Sequence, residues 1–525
     1  MTRIHLYDTT LRDGAQTQGV DFSLADKKAI AVALDGLGID YVEAGWPGAN
    51  PSDSALFADL PPLSHGRFSA FGMTRRPGVR AADDPGLAAV LAPGTPVVCL
   101  VGKSWDFHVR EALGIGLGEN LDMIADSIAH VSASGREALF DAEHFFDGFK
   151  DNPGFALDCA KAAAQAGARW IVLCDTNGGT LPHEVERIVG AVADAIGGDR
   201  IGIHCHDDTG TGVANSLAAV HAGARQIQGT LNGLGERCGN ANLVSLIPTL
   251  VLKLGYELGI DVEGLRQLTS VSRLVDERLN RAPNPRAPYV GEHAFAHKGG
   301  LHASAVAKDA RSYEHVPPET VGNRRHIIVS DQAGRANMLA RLHELGVEVD
   351  PKDSRVATLV DLVKAREAAG YAYDGAAASF ELMARAHLGA NFAEHFRVTG
   401  FRVIDERWTG PDGKTETLSE VTVDLEIDGV AQIIVARGNG PVDALDGALR
   451  KALEPVFPAL HGVRLTDYKV RILTPEAGAQ AVTRVMIESR DAEDREWRTI
   501  GVAENVIDAS YRALEDSLKY RLLLM

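Results

Sequence analysis

The sequence predicts an α/β protein: a (β/α)8 TIM barrel, then small helical subdomains, then a C-terminal α+β domain with an internal repeat. Three observations predict it. Up to about residue 240, eight short β-branched or aromatic runs alternate with loops and Ala/Leu-rich helical stretches. Eight such units in roughly 250 residues is the count of a closed parallel barrel. After residue 395 strand-like runs return, and two stretches repeat at a constant offset of 65.

The eight runs are 4–7, 41–44, 68–71, 97–101, 138–141, 170–173, 201–203 and 226–229. The first helical stretch, 24–37, opens with Ser23 and Asp26 in a capping-box-like pair and gathers Leu24, Ala31, Leu34 and Leu37 on one face. A doubly wound open sheet is the alternative, but that fold usually carries a Gly-rich phosphate loop after its first strand, where this chain reads RDGAQ. The barrel therefore occupies 1–280, and the Pro- and Arg-rich stretch 281–295 opens a linker. Residues 281–394 read as mostly helical small subdomains interrupted by Pro317 and Pro318. Residues 395–525 form the last domain, with strands expected at 396–404, 419–427, 431–436, 468–473 and 482–489. Within it Asp443, Ala444, Leu449 and Leu453 recur as Asp508, Ala509, Leu514 and Leu518, the mark of two similar strand–helix modules. That domain lacks a dense set of catalytic residue types, which favours regulation or oligomerisation.

A net charge of −18 over 525 residues gives no chain-wide attraction to nucleic acid or anionic lipid, so neither is an expected partner. No apolar stretch approaches the ~18 residues of a transmembrane helix, and the N-terminal residues lack the apolar core of a secretory signal, so the cytoplasm is expected. Five scattered cysteines without a Cys-x-x-Cys pair fit reduced thiols rather than a disulfide framework or a zinc ribbon.

In a barrel of this kind, residues at the carboxyl ends of the strands face one mouth. Seven of the eight runs end in polar, chemistry-bearing residues, including Asp8, Arg12, Asp13, Glu43, Lys103, Glu143, Asp175, Thr176, His204, His206 and Asn240. Any one of these is readily a helix cap or a solvated loop residue. His204-x-His206 on an extended segment puts two imidazoles on one face, because strand side chains alternate with period two. With Asp13 the set becomes His2Asp, suited to Mn2+, Mg2+, Zn2+ or Co2+ acting as a Lewis acid on a carbonyl. Gly233, Gly235 and Gly239 allow either a phosphate cradle or a tight connection, and Asn240 beside them is a candidate further ligand.

Four strings, LYDTTLRDGAQ (6–16), HCHDDTGTGVAN (204–215), GLGERCGNANL (233–243) and HKGGLHASA (297–305), resemble the motifs of the 2-isopropylmalate, homocitrate and citramalate synthase family. That family belongs to the metal-dependent TIM-barrel group that also holds hydroxymethylglutaryl-CoA lyase. VEAGWPGANPSD (42–53) and VCLVGKSWDFHV (98–109) are most similar to the long citramalate synthase branch.

The resemblance implies Claisen condensation of acetyl-CoA with a 2-oxo acid and hydrolysis of the thioester, with pyruvate as acceptor, (R)-citramalate as product and isoleucine as the pathway's end. By the same resemblance Asp13, His204, His206 and Asn240 match the metal site. Arg12 matches the arginine that stabilises developing oxyanion charge, Thr176 the carboxylate-binding residue, and Glu43 the lining of the keto-acid pocket. Glu143 matches the base that removes a proton from the acetyl methyl, with His302 and Tyr313 as its partners. Family precedent has these two reaching the site of the other subunit, which implies a domain-crossed homodimer. The C-terminal domain is similar to the family's feedback-regulatory domain, with isoleucine or leucine as effector. The alternatives are 2-isopropylmalate synthesis from 2-oxoisovalerate and cleavage of a 3-hydroxyacyl-CoA on the same barrel. Without the resemblance, Glu43 and Glu143 also suit a glycosidase pair, which a chain only 6% aromatic fits poorly, and Lys103 a Schiff base.

Overall fold

The computed structural model describes residues 2–297, 302, 305, 306, 308–327, 334–390, 394–409 and 414–525. Its first eight strands, β1 (His5–Asp8), β2 (Tyr41–Gly45), β3 (Arg67–Met73), β4 (Val97–Lys103), β5 (Glu137–Glu143), β6 (Trp170–Asp175), β7 (Ile201–Cys205) and β8 (Gln226–Gly229), close into one barrel. Every neighbouring pair is parallel, and β1 pairs with β8 to seal the ring. All eight expected runs are strands, and most are longer at the carboxyl end. Asp8, Lys103, Glu143, Asp175 and His204 therefore belong to the strands themselves rather than to the loops after them.

The helix Leu24–Leu37 starts with the Ser23–Asp26 capping box and buries Ile30, Ala31, Leu34 and Leu37. Alternation splits the barrel's apolar residues. Ile4, Leu6, Val42, Leu100, Phe140, Ile171 and Ile203 face the helices in the main core. Tyr7, Tyr41, Phe71, Cys99, Leu139, Trp170 and Val172 form a second cluster with one another.

The chain divides into two compact units, one of Met1–Phe295 and Val316–Arg325, the other of Ala296–His315 and His326–Met525. In the first, Tyr289, Val290, Phe295, Val316 and Val321 join the barrel's apolar core. The second begins with two short strands, β9 (Ala296–His297) and β10 (His326–Ile327), which pair in parallel. Three helices follow, Arg335–Glu344, Ser354–Ala368 and Ala377–Leu388. Two antiparallel sheets come next: β11 (Phe396–Thr409), β12 (Thr415–Ile427) and β13 (Val430–Gly438), then β14 (Arg464–Ile472), β15 (Thr483–Arg490) and β16 (Glu496–Ala503). Each sheet is followed by a helix, Pro441–Leu453 or Val506–Leu523, and the repeated residues Ala444, Leu449 and Leu453 and their counterparts Ala509, Leu514 and Leu518 share one core. The sequence pattern yields five of these six strands. The sixth, Glu496–Ala503, escapes it because the polar Glu496, Arg498 and Thr499 break the apolar run. Ile500 and Val502 on that strand pack with Val356, Leu359 and Phe380 of the three helices. Among the described residues no helix is long and apolar enough to cross a membrane.

Candidate metal centre and active site

At the end of β1 the buried Asp8 carboxyl accepts hydrogen bonds from the Thr10 amide (2.8 Å) and hydroxyl (2.9 Å). Burial raises its pKa to about 7. The Thr10 hydroxyl accepts from the Leu231 amide beyond β8, which ties the first loop to the last. This anchored turn carries Arg12 and Asp13 over the mouth.

Arg12 donates from Nε to Glu43 Oε2 at 2.6 Å, and its guanidinium lies 4.0 Å over the Phe71 ring. Glu43 is fully buried and also accepts from the Tyr7 hydroxyl at 2.8 Å. Burial raises the pKa of Glu43, against the pull of Arg12. The structure thus places Glu43 behind the lining residue Arg12 rather than on the cavity wall itself.

Asp13 Oδ2 lies 3.5 Å from His204 Nε2 and 3.9 Å from His206 Nε2. Burial opposes the Asp13 charge, but the Arg12 guanidinium beside it outweighs burial and holds the carboxyl below its ordinary value. Burial pushes both imidazoles down. His204 donates from Nδ1 to Gln228 Oε1 (3.1 Å), so its Nε2 presents a lone pair. Asp13, His204 and His206 each offer one ligand atom within 4.8 Å of the others, all buried. A buried carboxylate facing two neutral imidazoles, with the His204 Nε2 lone pair open toward it, suits a divalent cation.

Asn240 adds to that fit. Its Nδ2 donates to Leu234 O at 3.0 Å, while its buried Oδ1 lacks a hydrogen-bond partner. An isolated β-bridge joins Asn240 to His206. The glycines before it shape the loop: at Gly239 (φ +92°) a Cβ would sit 1.9 Å from Gly233 O, and at Gly235 (φ +149°) 2.2 Å from Asn240 Nδ2. They serve a tight connection that folds onto Asn240, one of the two readings the sequence leaves open.

Arg12, Asp13, Glu143, Thr176, His204 and His206 line one cavity of about 310 Å3, with Trp46, Phe71, Met73 and Val101 as its apolar wall. Glu143 at the end of β5 is ion-paired with Lys103 at the end of β4. Thr176 accepts the His144 amide at 2.9 Å, and His144 takes up the left-handed φ of 53° at which the chain leaves β5. His302 and Tyr313 belong to the second compact unit, where their rings stack with centroids 4.2 Å apart.

Sequence reasoning overlooks three residues that hold this site from below. Tyr7 supports Glu43, Gln228 supports His204, and Asp141, raised to about 7 chiefly by burial, accepts from Gln228 at 2.9 Å. The signal was strand alternation: Gln228 shares a face with Gln226 on β8, and Asp141 with Glu143 on β5.

The model of the HMGL-like family matches residues 3–275, just over half of the chain. The chain belongs to the HMGL-like family. Two further family models match in its second half, the homocitrate synthase post-HMGL domain at 289–369 and the LeuA allosteric (dimerisation) domain at 374–522. Among this HMGL-like chain's relatives, the (R)-citramalate synthase of Aquifex aeolicus is 50% identical, over 99% of this chain and 98% of that one. The (R)-citramalate synthase of Synechocystis sp. is 48% identical, over 100% and 97% of the two chains. That of Geobacter sulfurreducens is 49% identical, over 99% and 98%. These similarities place the chain with the 2-isopropylmalate, homocitrate and citramalate synthases.

Proposed function

We propose that this chain is a metal-dependent acyltransferase that condenses acetyl-CoA with pyruvate and hydrolyses the thioester to give (R)-citramalate and CoA. The observation that carries the reading is the buried triad Asp13, His204 and His206 beside Arg12, in a chain half identical to (R)-citramalate synthases over nearly its whole length. When bound there, a divalent ion (Mn2+, Mg2+, Zn2+ or Co2+) supplies Lewis-acid polarisation of the acceptor carbonyl.

The remaining work falls to the chain. Arg12, held by Glu43, presents a charge fixed in advance to the oxygen on which negative charge builds. The Thr176 hydroxyl accepts the His144 amide, so its own hydrogen is free to donate to the acceptor's carboxylate. Glu143 is the carboxylate at the cavity wall suited to take a proton from the acetyl methyl, with Lys103 orienting it. His302 and Tyr313 complete that step from the other subunit of a domain-crossed homodimer. Asn240 contributes its unpartnered Oδ1 to the metal site.

The domain limits 1–280, 281–394 and 395–525 belong to this reading. So do a cytoplasmic location and feedback inhibition by isoleucine, in preference to leucine, at the C-terminal domain. The test is release of free CoA thiol from acetyl-CoA with pyruvate, 2-oxoisovalerate or 2-oxoglutarate, each with and without a chelator. Chelator-sensitive release with pyruvate alone supports citramalate synthesis. Preference for 2-oxoisovalerate reassigns the product to 2-isopropylmalate, and silence with all three favours the lyase.

A further inference from the structure

We propose that Asp141 and Gln228 are positioning residues that dictate which ring nitrogen of His204 carries its proton, leaving the other open to a divalent cation. The inference rests on the metal-site reading above and concerns how that site is kept ready before any ion arrives.

The three side chains form one directed chain across the barrel interior. Gln228 Nε2 donates to Asp141 Oδ1 at 2.9 Å, and Gln228 Oε1 faces His204 Nδ1 at 3.1 Å. The Cys99 thiol on β4 hydrogen-bonds to the same Asp141 carboxyl, and burial keeps that thiol protonated by raising its pKa, so it is a donor. Cys99, Asp141, Gln228 and His204 are 0%, 4%, 1% and 6% exposed; Asp141 and His204 edge the cavity, while Gln228 between them is sealed from bulk water.

The direction of the chain follows from what each group can offer. The Asp141 oxygen facing Gln228 is an acceptor, so the amide must turn its NH2 toward it. The carbonyl of Gln228 is then committed to His204, and the ring must answer with a hydrogen on Nδ1. Nε2 is left as a lone pair 3.5 Å from Asp13. Were the amide reversed, its NH2 would demand an acceptor at Nδ1, and the ring proton would sit on Nε2, where it blocks a metal ion. An acid two bonds removed from the metal ligand thus selects the ligand's tautomer. Outer hydrogen bonds of this kind orient a ligating imidazole, and their loss costs ~10–100-fold in metal affinity.

Asp141→Asn tests this without changing shape. The asparagine keeps a carbonyl for Cys99 and turns its NH2 to Gln228, which reverses every hydrogen bond down the chain. The double variant Asp141→Asn with Gln228→Glu makes residue 228 an acceptor at both ends: its bond to residue 141 stays reversed, while the original direction returns at His204 Nδ1. Two readouts on the full-length protein apply. One is the His204 tautomer from 15N-histidine NMR of the metal-free protein, assigned against His204→Gln; the other is Mn2+ affinity by electron paramagnetic resonance.

The expected result is Nδ1–H in the wild type, a shift to Nε2–H with a ~10–100-fold loss of Mn2+ affinity in Asp141→Asn, and recovery of both in the double variant. Unchanged tautomer and affinity in Asp141→Asn overturn the proposal. So does a loss that the double variant fails to recover, since that is what a merely structural role of Asp141 would give. If Asp141→Asn fails to fold, Gln228→Met, which deletes both hydrogen bonds at similar volume, must lose the Nδ1–H preference. If the wild type holds none of Mn2+, Mg2+, Zn2+ and Co2+, the metal reading fails, while the tautomer measurement still decides the relay.

Discussion

Replacing Glu43 by Gln isolates one buried charge behind Arg12. Glu43 accepts from Arg12 Nε at 2.6 Å and from the Tyr7 hydroxyl at 2.8 Å, and Tyr7 also reaches Ser69 Oγ at 3.0 Å. A glutamine fits the same space: its carbonyl takes the Arg12 bond, its NH2 turns to the Tyr7 oxygen, and Tyr7 donates to Ser69 alone. The exchange turns a buried ion pair into a hydrogen bond from the Arg12 cation to a neutral carbonyl, and losing the carboxylate charge weakens the hold on Arg12 by about 1–1.5 kcal/mol. At 1.36 kcal/mol per decade that is roughly a tenfold fall in kcat/KM for pyruvate and acetyl-CoA. Glu43→Ala removes both acceptors and frees Arg12 from its place over Phe71. Its cost should approach the ~100–1,000-fold of losing a charge-stabilising donor outright. CoA-thiol release measured at limiting and saturating pyruvate separates KM from kcat. Wild-type activity in Glu43→Gln, or an alanine variant no worse than the glutamine one, would refute the supporting role.

Other expectations follow from the same geometry. Asp13→Ala and His204→Ala should lose bound metal and turnover together, as read by elemental analysis beside the CoA assay; full activity without metal would sink the assignment. Borohydride added with pyruvate should leave activity intact, since Lys103 is paired with Glu143 rather than poised as an amine, and a reduced adduct on Lys103 would restore the Schiff-base reading. The Asp35 carboxylate accepts the Ser64, His65 and Gly66 amides, which hold its pKa below the ordinary value against the pull of burial. A depressed carboxyl pKa adds stability that is full above roughly pH 4 and fades as pH falls through the folded value. Asp35→Ala should thus cost about 1 kcal/mol at pH 7, with solvent screening counted, and its melting deficit should shrink at pH 3. A deficit that is the same at both pH values would count against the carboxylate's role.

Local pattern carried much of this molecule. Strand alternation put His204 at the end of β7 and His206, just past it in an isolated bridge, on one face, and the capping pair Ser23 and Asp26 marked the start of the first helix where it is found. Glu496–Ala503 was missed because pairing with β15, rather than its own composition, makes that segment a strand. The part of Glu43 was also beyond local pattern: a carboxylate at a strand end reads the same whether it faces substrate or an arginine 31 residues earlier in the chain.

The sequence by itself determined the number and order of the βα units, the repeat in the last domain and the chemical types gathered at the strand ends, because periodicity, capping and turn chemistry act over a few residues. Tertiary structure alone decided which of those groups meet. Barrel closure sets β1 beside β8, brings Asp13 within 3.5 Å of a histidine on β7, and buries Asp141 and Gln228 beneath it. Those distances depend on strand register around a closed ring, a property that no single segment holds.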